Sequence, residues 1–140
     1  MDCIDMADRK LPGLNVQAPW ARQLLDGTKT IETRTYPLPA KYRGQVFWLI
    51  ETPGRNGRFK ARIIGTISFS ECRYYETASA FYADTDLHLV HPGVQEYAWR
   101  QGAQKFGWIV ESVEKVEPFD APTPRGIIYA RPFDKSLRSQ

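Results

Sequence analysis

A chain of 140 residues with 42% apolar and 13% aromatic side chains can bury one core without disulfide or metal staples, and is too apolar to be disordered throughout. Its formal charge of +3 permits an anionic partner without demanding one, so the placement of charge matters more than the sum. No apolar run approaches the roughly 20 residues that span a bilayer, and no charged segment followed by an apolar one opens the chain. The expectation is therefore a cytosolic protein without membrane association.

Residues 1–10 carry Asp2, Asp5, Asp8, Arg9 and Lys10 without periodicity and read as a flexible lead-in. Leu14 to Gln17 reads as a brief strand. Pro19 then suits the start of a helix of about two turns, since its fixed φ fits the first helical position and its missing N–H has no partner there. Trp20, Ala21, Leu24 and Leu25 share its apolar side, with Arg22, Gln23 and Asp26 opposite. Gly27 is placed to end it in the left-handed conformation. Thr30 to Thr35 reads as a strand with Thr30, Glu32 and Arg34 on one face.

Pro37 to Tyr42 is a proline-punctuated loop, and the apolar run after Gly44, QVFWLIE, suits a strand buried on both sides. Pro53-Gly54 and Asn56-Gly57 predict a hairpin turn. In the returning strand Phe59, Ala61, Ile63, Gly65, Ile67 and Phe69 form the apolar face. Arg58, Lys60 and Arg62 begin the other, and with Arg55 they make a basic stripe able to follow a phosphate backbone. A charged strand face also discourages edge pairing, and either purpose explains the stripe.

Glu76 to Tyr82 reads as a short helix, Asp84 to Gly93 as a loop, and Val94 to Gln101 as a helix closed by Gly102. His88 and His91 lack a supporting acid or thiol, so they read as structural or surface residues; no metal and no cofactor is expected. Cys3 and Cys72 are too few and too distant for a disulfide framework and read as reduced thiols. Tyr97 and Trp99 suit either stacking on a base or packing on a sheet. Phe106 to Phe119 reads as a strand that loses phase near Ser112, implying a bulge. A turn over 121–126, a closing strand over 126–133 and a loose tail over 134–140 complete the chain. The sum is one α+β domain over 11–133, a small mixed β-barrel decorated by short helices.

The candidate site lies where the first helix meets its flanking strands. Gln17, Trp20, Lys29, Glu32 and Arg34 bring an amide, an aromatic ring, two cations and a carboxylate together within residues 17–34. A Glu–Arg pair two apart in a strand is also ordinary architecture, and Trp20 shares the apolar face of Leu24. As a site, Glu32 would accept from an exocyclic amine or ring N–H, Arg34 or Lys29 would meet a phosphate or carbonyl, and Trp20 would stack.

The opening LNVQAPWARQLLDGTKTIETRTY, the following YRG, and the late segments FGWIVESVEKVEPF and GIIYARPF resemble the ASCH domain, a branch of the PUA-like superfamily of small β-barrels associated with RNA. The resemblance covers both ends of the barrel and leaves residues 74–104 unmatched. It implies a cleft beside the first helix, lined by Gln17, Trp20, Lys29, Glu32 and Arg34, that holds RNA or a modified nucleoside; DNA is admitted by the same chemistry. It also implies an alternative, since a bacterial branch of the family removes the acyl group from acetylcytidine. That branch's catalytic lysine falls on Lys29. Its threonine is replaced by Glu32, and its distant glutamate has only Glu76 as a positional counterpart. If the chain is an enzyme, Lys29 and Glu32 are the catalytic pair. A protein-interaction module is the third expectation.

Overall fold

In a computed structural model of the chain, which describes residues 11–53, 57–94, 97–121 and the backbone of 128–129, short helices decorate one sheet. The strands are β1 (Pro12–Gln17), β2 (Ile31–Arg34), β3 (Phe47–Thr52), β4 (Arg62–Tyr75), β5 (Lys105–Asp120) and β6 (Ile128–Tyr129). The helices are α1 (Trp20–Asp26), α2 (Ala78–Ala83) and α3 (Thr85–His88), with a 3-10 turn at Ala40–Tyr42. The sheet order is β2-β5-β4-β3-β1-β6, with β1 parallel to β3 and β6 and the other pairs antiparallel. The sheet is mixed and curled into a half-barrel, in keeping with the expected class; β2 and β1, joined through α1, do not pair with each other.

β3 is the core strand its composition predicts, with Phe47, Trp48, Leu49 and Ile50 all buried. The long β4–β5 ladder carries register shifts at Ile63/Gly65, Ser68/Phe69 and Phe69/Glu71. The second falls opposite Ser112, where the loss of phase in the sequence predicts a bulge. The first accounts for Ile63 and Ile64 both being buried, one in each of two core clusters. α1 packs Ala21 and Leu24 into the larger cluster with Leu14, Phe47, Phe69 and Trp108. That approach requires Gly65, where a Cβ would stand 2.5 Å from the Glu114 carbonyl oxygen and 2.7 Å from Leu25 Cδ1. Gly27 closes α1 with φ +86°, as its position predicts.

The middle of the chain differs from its sequence reading. Asp84 to Gly93 is not all loop, because Thr85–His88 forms α3, ended by Leu89 at φ 63°. The helix expected over Val94–Gln101 is absent among the described residues. The backbone there runs through turns, and the left-handed Gly102 belongs to the turn before β5. Tertiary contacts explain both departures. His88 is fully buried, stacked on Phe81 at 4.3 Å and bonded at both ring nitrogens, while Tyr97 and Trp99 pack beside Phe81. Residues 1–10 and 134–140, Cys3, Arg55 and most of the 121–126 turn lie outside the described residues.

Candidate functional site

The unpaired margin between β1 and β2 opens into a hollow of about 300 Å³. Asn15, Val16 and Gln17 of β1 form one wall, Glu32, Thr33 and Arg34 of β2 with Thr35 and Tyr36 another, and Trp20 and Lys29 the α1 side. Val90, Tyr97 and Lys105 close it. All five residues singled out by sequence therefore face one space.

Arg34 spans the gap between the two strands. Its Nε donates to Glu32 Oε2 at 2.9 Å, one terminal nitrogen donates to the Tyr36 hydroxyl at 3.1 Å, and the other to the Asn15 carbonyl at 2.8 Å. The guanidinium lies 5.6 Å from the Trp108 ring. A side chain thus joins β1 to β2 where backbone pairing is missing. Every guanidinium nitrogen already has a protein acceptor, so Arg34 is committed mainly to holding the wall.

Lys29 is almost wholly buried. Its ammonium donates to the His88 carbonyl, lies 5.0 Å from the Trp20 ring, and stands 3.9 Å from Glu32 Oε1. Burial lowers its pKa; Glu32 opposes that and Arg34 adds to it. The turn before β2 is anchored from α3, where the Leu87 carbonyl accepts from Thr30 N–H at 2.9 Å. The segment left unmatched by sequence therefore shapes the lysine's surroundings. His88 sets that segment in place: its Nδ1 accepts from Val90 N–H, which leaves Nε2 to donate to the Phe81 carbonyl at 2.7 Å. Burial lowers its pKa, Phe81 and Asp84 oppose this, and Lys29 and Lys105 add to it. His88 is a neutral structural residue, as its lack of ligand-type neighbours suggested. Among the described residues no three His, Cys, Asp or Glu side chains converge.

Glu32 is buried, and beyond the Arg34 bond its Oε1 has no hydrogen-bond donor within reach among the described residues. The Tyr97 hydroxyl donates to Gln17 Oε1, and its ring meets Trp20 edge-on at 5.7 Å. Trp20 contacts the core cluster and also lines the hollow.

Sequence reasoning missed Lys105. It opens β5, is buried, donates to the Tyr97 carbonyl at 2.9 Å and lies 5.7 Å from the Phe81 ring. Burial lowers its pKa, Arg100 lowers it further, and Glu32 opposes. Only the β2–β5 register, which sets Phe106 opposite Arg34, brings it to the site. Glu76 is exposed and does not line the hollow, so its positional match to a distant glutamate has no geometric support.

The described residues of the basic stripe, Arg58, Lys60 and Arg62, do not line the hollow. Arg62 pairs in register with Asp120 at one end of the β4–β5 ladder, and Tyr75 with Lys105 at the other. Arg62 also donates to Glu51 at 3.0 Å, and Lys60 pairs with Asp120 at 3.6 Å. Arg58 is exposed.

A mixed, curled half-barrel with short helices, holding a polar hollow where two of its strands fail to pair, is a PUA-like architecture. The chain belongs to the ASCH domain family, whose model matches residues 14–119. Its fold is similar to the crystal structure of ASCH from Zymomonas mobilis at 15% identity and TM-score 0.62, over 80% of this chain and 74% of that one. A serine-to-alanine variant of that protein matches at 15% identity and TM-score 0.65 over 94% of both chains. Its tyrosine-to-phenylalanine variant matches at 13% and 0.62, over 84% of this chain and 80% of that one. None of the curated proteins compared matches the chain significantly.

Proposed function

We propose that the hollow binds a single nucleobase or nucleoside, presented free or at the end of an RNA. The supporting observation is Glu32. Glu32 is a buried carboxylate lining the hollow, oriented by Arg34 through one oxygen, while its other oxygen has no hydrogen-bond donor nearer than the Lys29 ammonium at 3.9 Å among the described residues. A carboxylate accepts well from the exocyclic amine or ring N–H of a base. Trp20, Tyr36 and Tyr97 supply the aromatic surface that nucleobases favour. A volume of about 300 Å³ is at the small end of ligand pockets and suits one base rather than a length of polymer. A thermal-shift panel of modified and unmodified nucleosides and their monophosphates tests this. The expected result is a concentration-dependent rise in Tm for one base class, lost in Glu32→Gln. No shift with any of them counts against it.

Hydrolysis of an acylated nucleoside is the second reading, and the placing of the buried Lys29 ammonium 3.9 Å from Glu32 Oε1 favours it. Glu32 would take a proton from water as the oxygen adds to the acyl carbon, with Lys29 stabilising the oxyanion. The C–N bond then breaks and the amine leaves with that proton. Release of acetate from acetylcytidine, absent in Lys29→Ala, is the expected result; no release from any acylated nucleoside removes this reading.

A further inference from the structure

Charge within the hollow is unbalanced. Buried Lys29 and Lys105 and partly buried Arg34 line it against one carboxylate, Glu32, which Arg34 already engages. Among the described residues Glu32 is the one acid acting on either lysine. The donor count agrees. An ammonium has three N–H donors; Lys29 gives one to the His88 carbonyl and Lys105 one to the Tyr97 carbonyl. Each keeps two more, with no further acceptor at hydrogen-bond distance among the described residues. Buried cations with unfilled donors are costly unless an anion or water meets them. Arg34, whose nitrogens are all engaged, provides the contrast within the same pocket.

We infer that the lysine side of the hollow, between Lys29 and Lys105, is a subsite for one anionic group, phosphate or carboxylate, so the ligand is a nucleotide or an acid-bearing base rather than a neutral nucleoside. This rests on the nucleobase reading above and narrows it. Glu32 takes a donor edge of the base, and the free N–H donors on the lysine side receive the charge through charge-assisted hydrogen bonds. Lys105 acts as a specificity residue.

Titration calorimetry on the full chain tests this with matched pairs: each of the four ribonucleosides against its 5′-monophosphate, and 5-methylcytidine against 5-carboxycytidine. The expected result is a charged member that binds about tenfold tighter or more than its neutral partner. Which pair shows the gap identifies the anion as a sugar phosphate or a base carboxylate. In Lys105→Gln the ratio falls towards one, and in Lys105→Arg it is largely kept. Equal binding of neutral and charged members by the wild-type protein overturns the subsite while leaving the nucleobase reading intact. Absence of binding by every member overturns both. A ratio unchanged in a folded Lys105→Gln overturns the assignment to Lys105, and the wild-type ratio decides the subsite even if that variant does not fold.

Discussion

Glu51 and Glu32 are both buried carboxylates flanked by cations, and comparing them separates architecture from site. Glu51, on β3, accepts from Arg22 Nε and Arg62 Nε, each at 3.0 Å, and those arginine side chains are 48% and 38% exposed. The surplus positive charge there reaches water and is screened. Around Glu32 the side chains of Arg34 and Lys29 are 14% and 2% exposed, and Lys105 is buried too. The same residue types thus make a solvated brace around Glu51 and an unbalanced hollow around Glu32. Burial, rather than charge composition, distinguishes them.

The largest expected effect breaks the inner cluster. Arg34→Ala removes the partner of a buried carboxylate and the link from β2 to the Asn15 carbonyl. Breaking such a pair costs about 3–5 kcal/mol. Arg62→Ala leaves Glu51 with Arg22 and open to water, and costs about 1 kcal/mol or less. Urea unfolding of both variants measures the difference; equal losses would mean that the two clusters are energetically alike.

Next in size is a divergence between stability and binding at the lysines. Replacing a buried ion by an apolar group of similar volume is often neutral or stabilising. Lys105→Met is therefore expected to keep or raise the midpoint of unfolding while weakening an anionic nucleotide about tenfold. A parallel fall in both would make Lys105 a structural brace like Arg34.

These lysines also show where the sequence becomes opaque. Gln17, Trp20, Lys29, Glu32 and Arg34 were legible as one group because strand, helix and strand follow directly, punctuated by Pro19 and Gly27, so local geometry alone gathers them around one hollow. Lys105 and Tyr97 arrive through pairing and packing between distant segments, which period and propensity do not encode. α3 was missed because a four-residue helix has no amphipathic period to read, and burial of His88, not propensity, accompanies it. The stripe at Arg58, Lys60 and Arg62 was legible as charge, but the carboxylate partners of Lys60 and Arg62 were not.

A smaller effect follows from pH. Burial lowers the pKa of both Lys29 and Lys105 from the usual 10.5, with Glu32 opposing in each case and Arg34 and Arg100 respectively adding to it. Between the lowered folded values and 10.5 the unfolded chain binds more protons, so these two groups make the unliganded protein more stable as pH rises. An anionic ligand needs the ammonium forms, so its added stabilisation is complete below the folded values and is lost through them. Unfolding midpoints with and without ligand are expected to converge on the alkaline side, and a constant gap there would place the charge recognition elsewhere.

The smallest expected effect is that of salt. A ligand held by one anionic group inside the hollow displaces few counterions, and buried charges are screened less than exposed ones. Its affinity is expected to fall only slightly between roughly 50 and 200 mM salt. A strand of RNA following Arg58, Lys60 and Arg62 would instead lose affinity with a slope of about 0.7 per phosphate neutralised. Lys60 already pairs with Asp120 and Arg62 with Glu51, so each must surrender a carboxylate before it can neutralise a phosphate. A steep salt slope that becomes shallower in Lys60→Ala would move the binding surface from the hollow to the basic stripe, and would reverse the distinction drawn between Glu32 and Glu51.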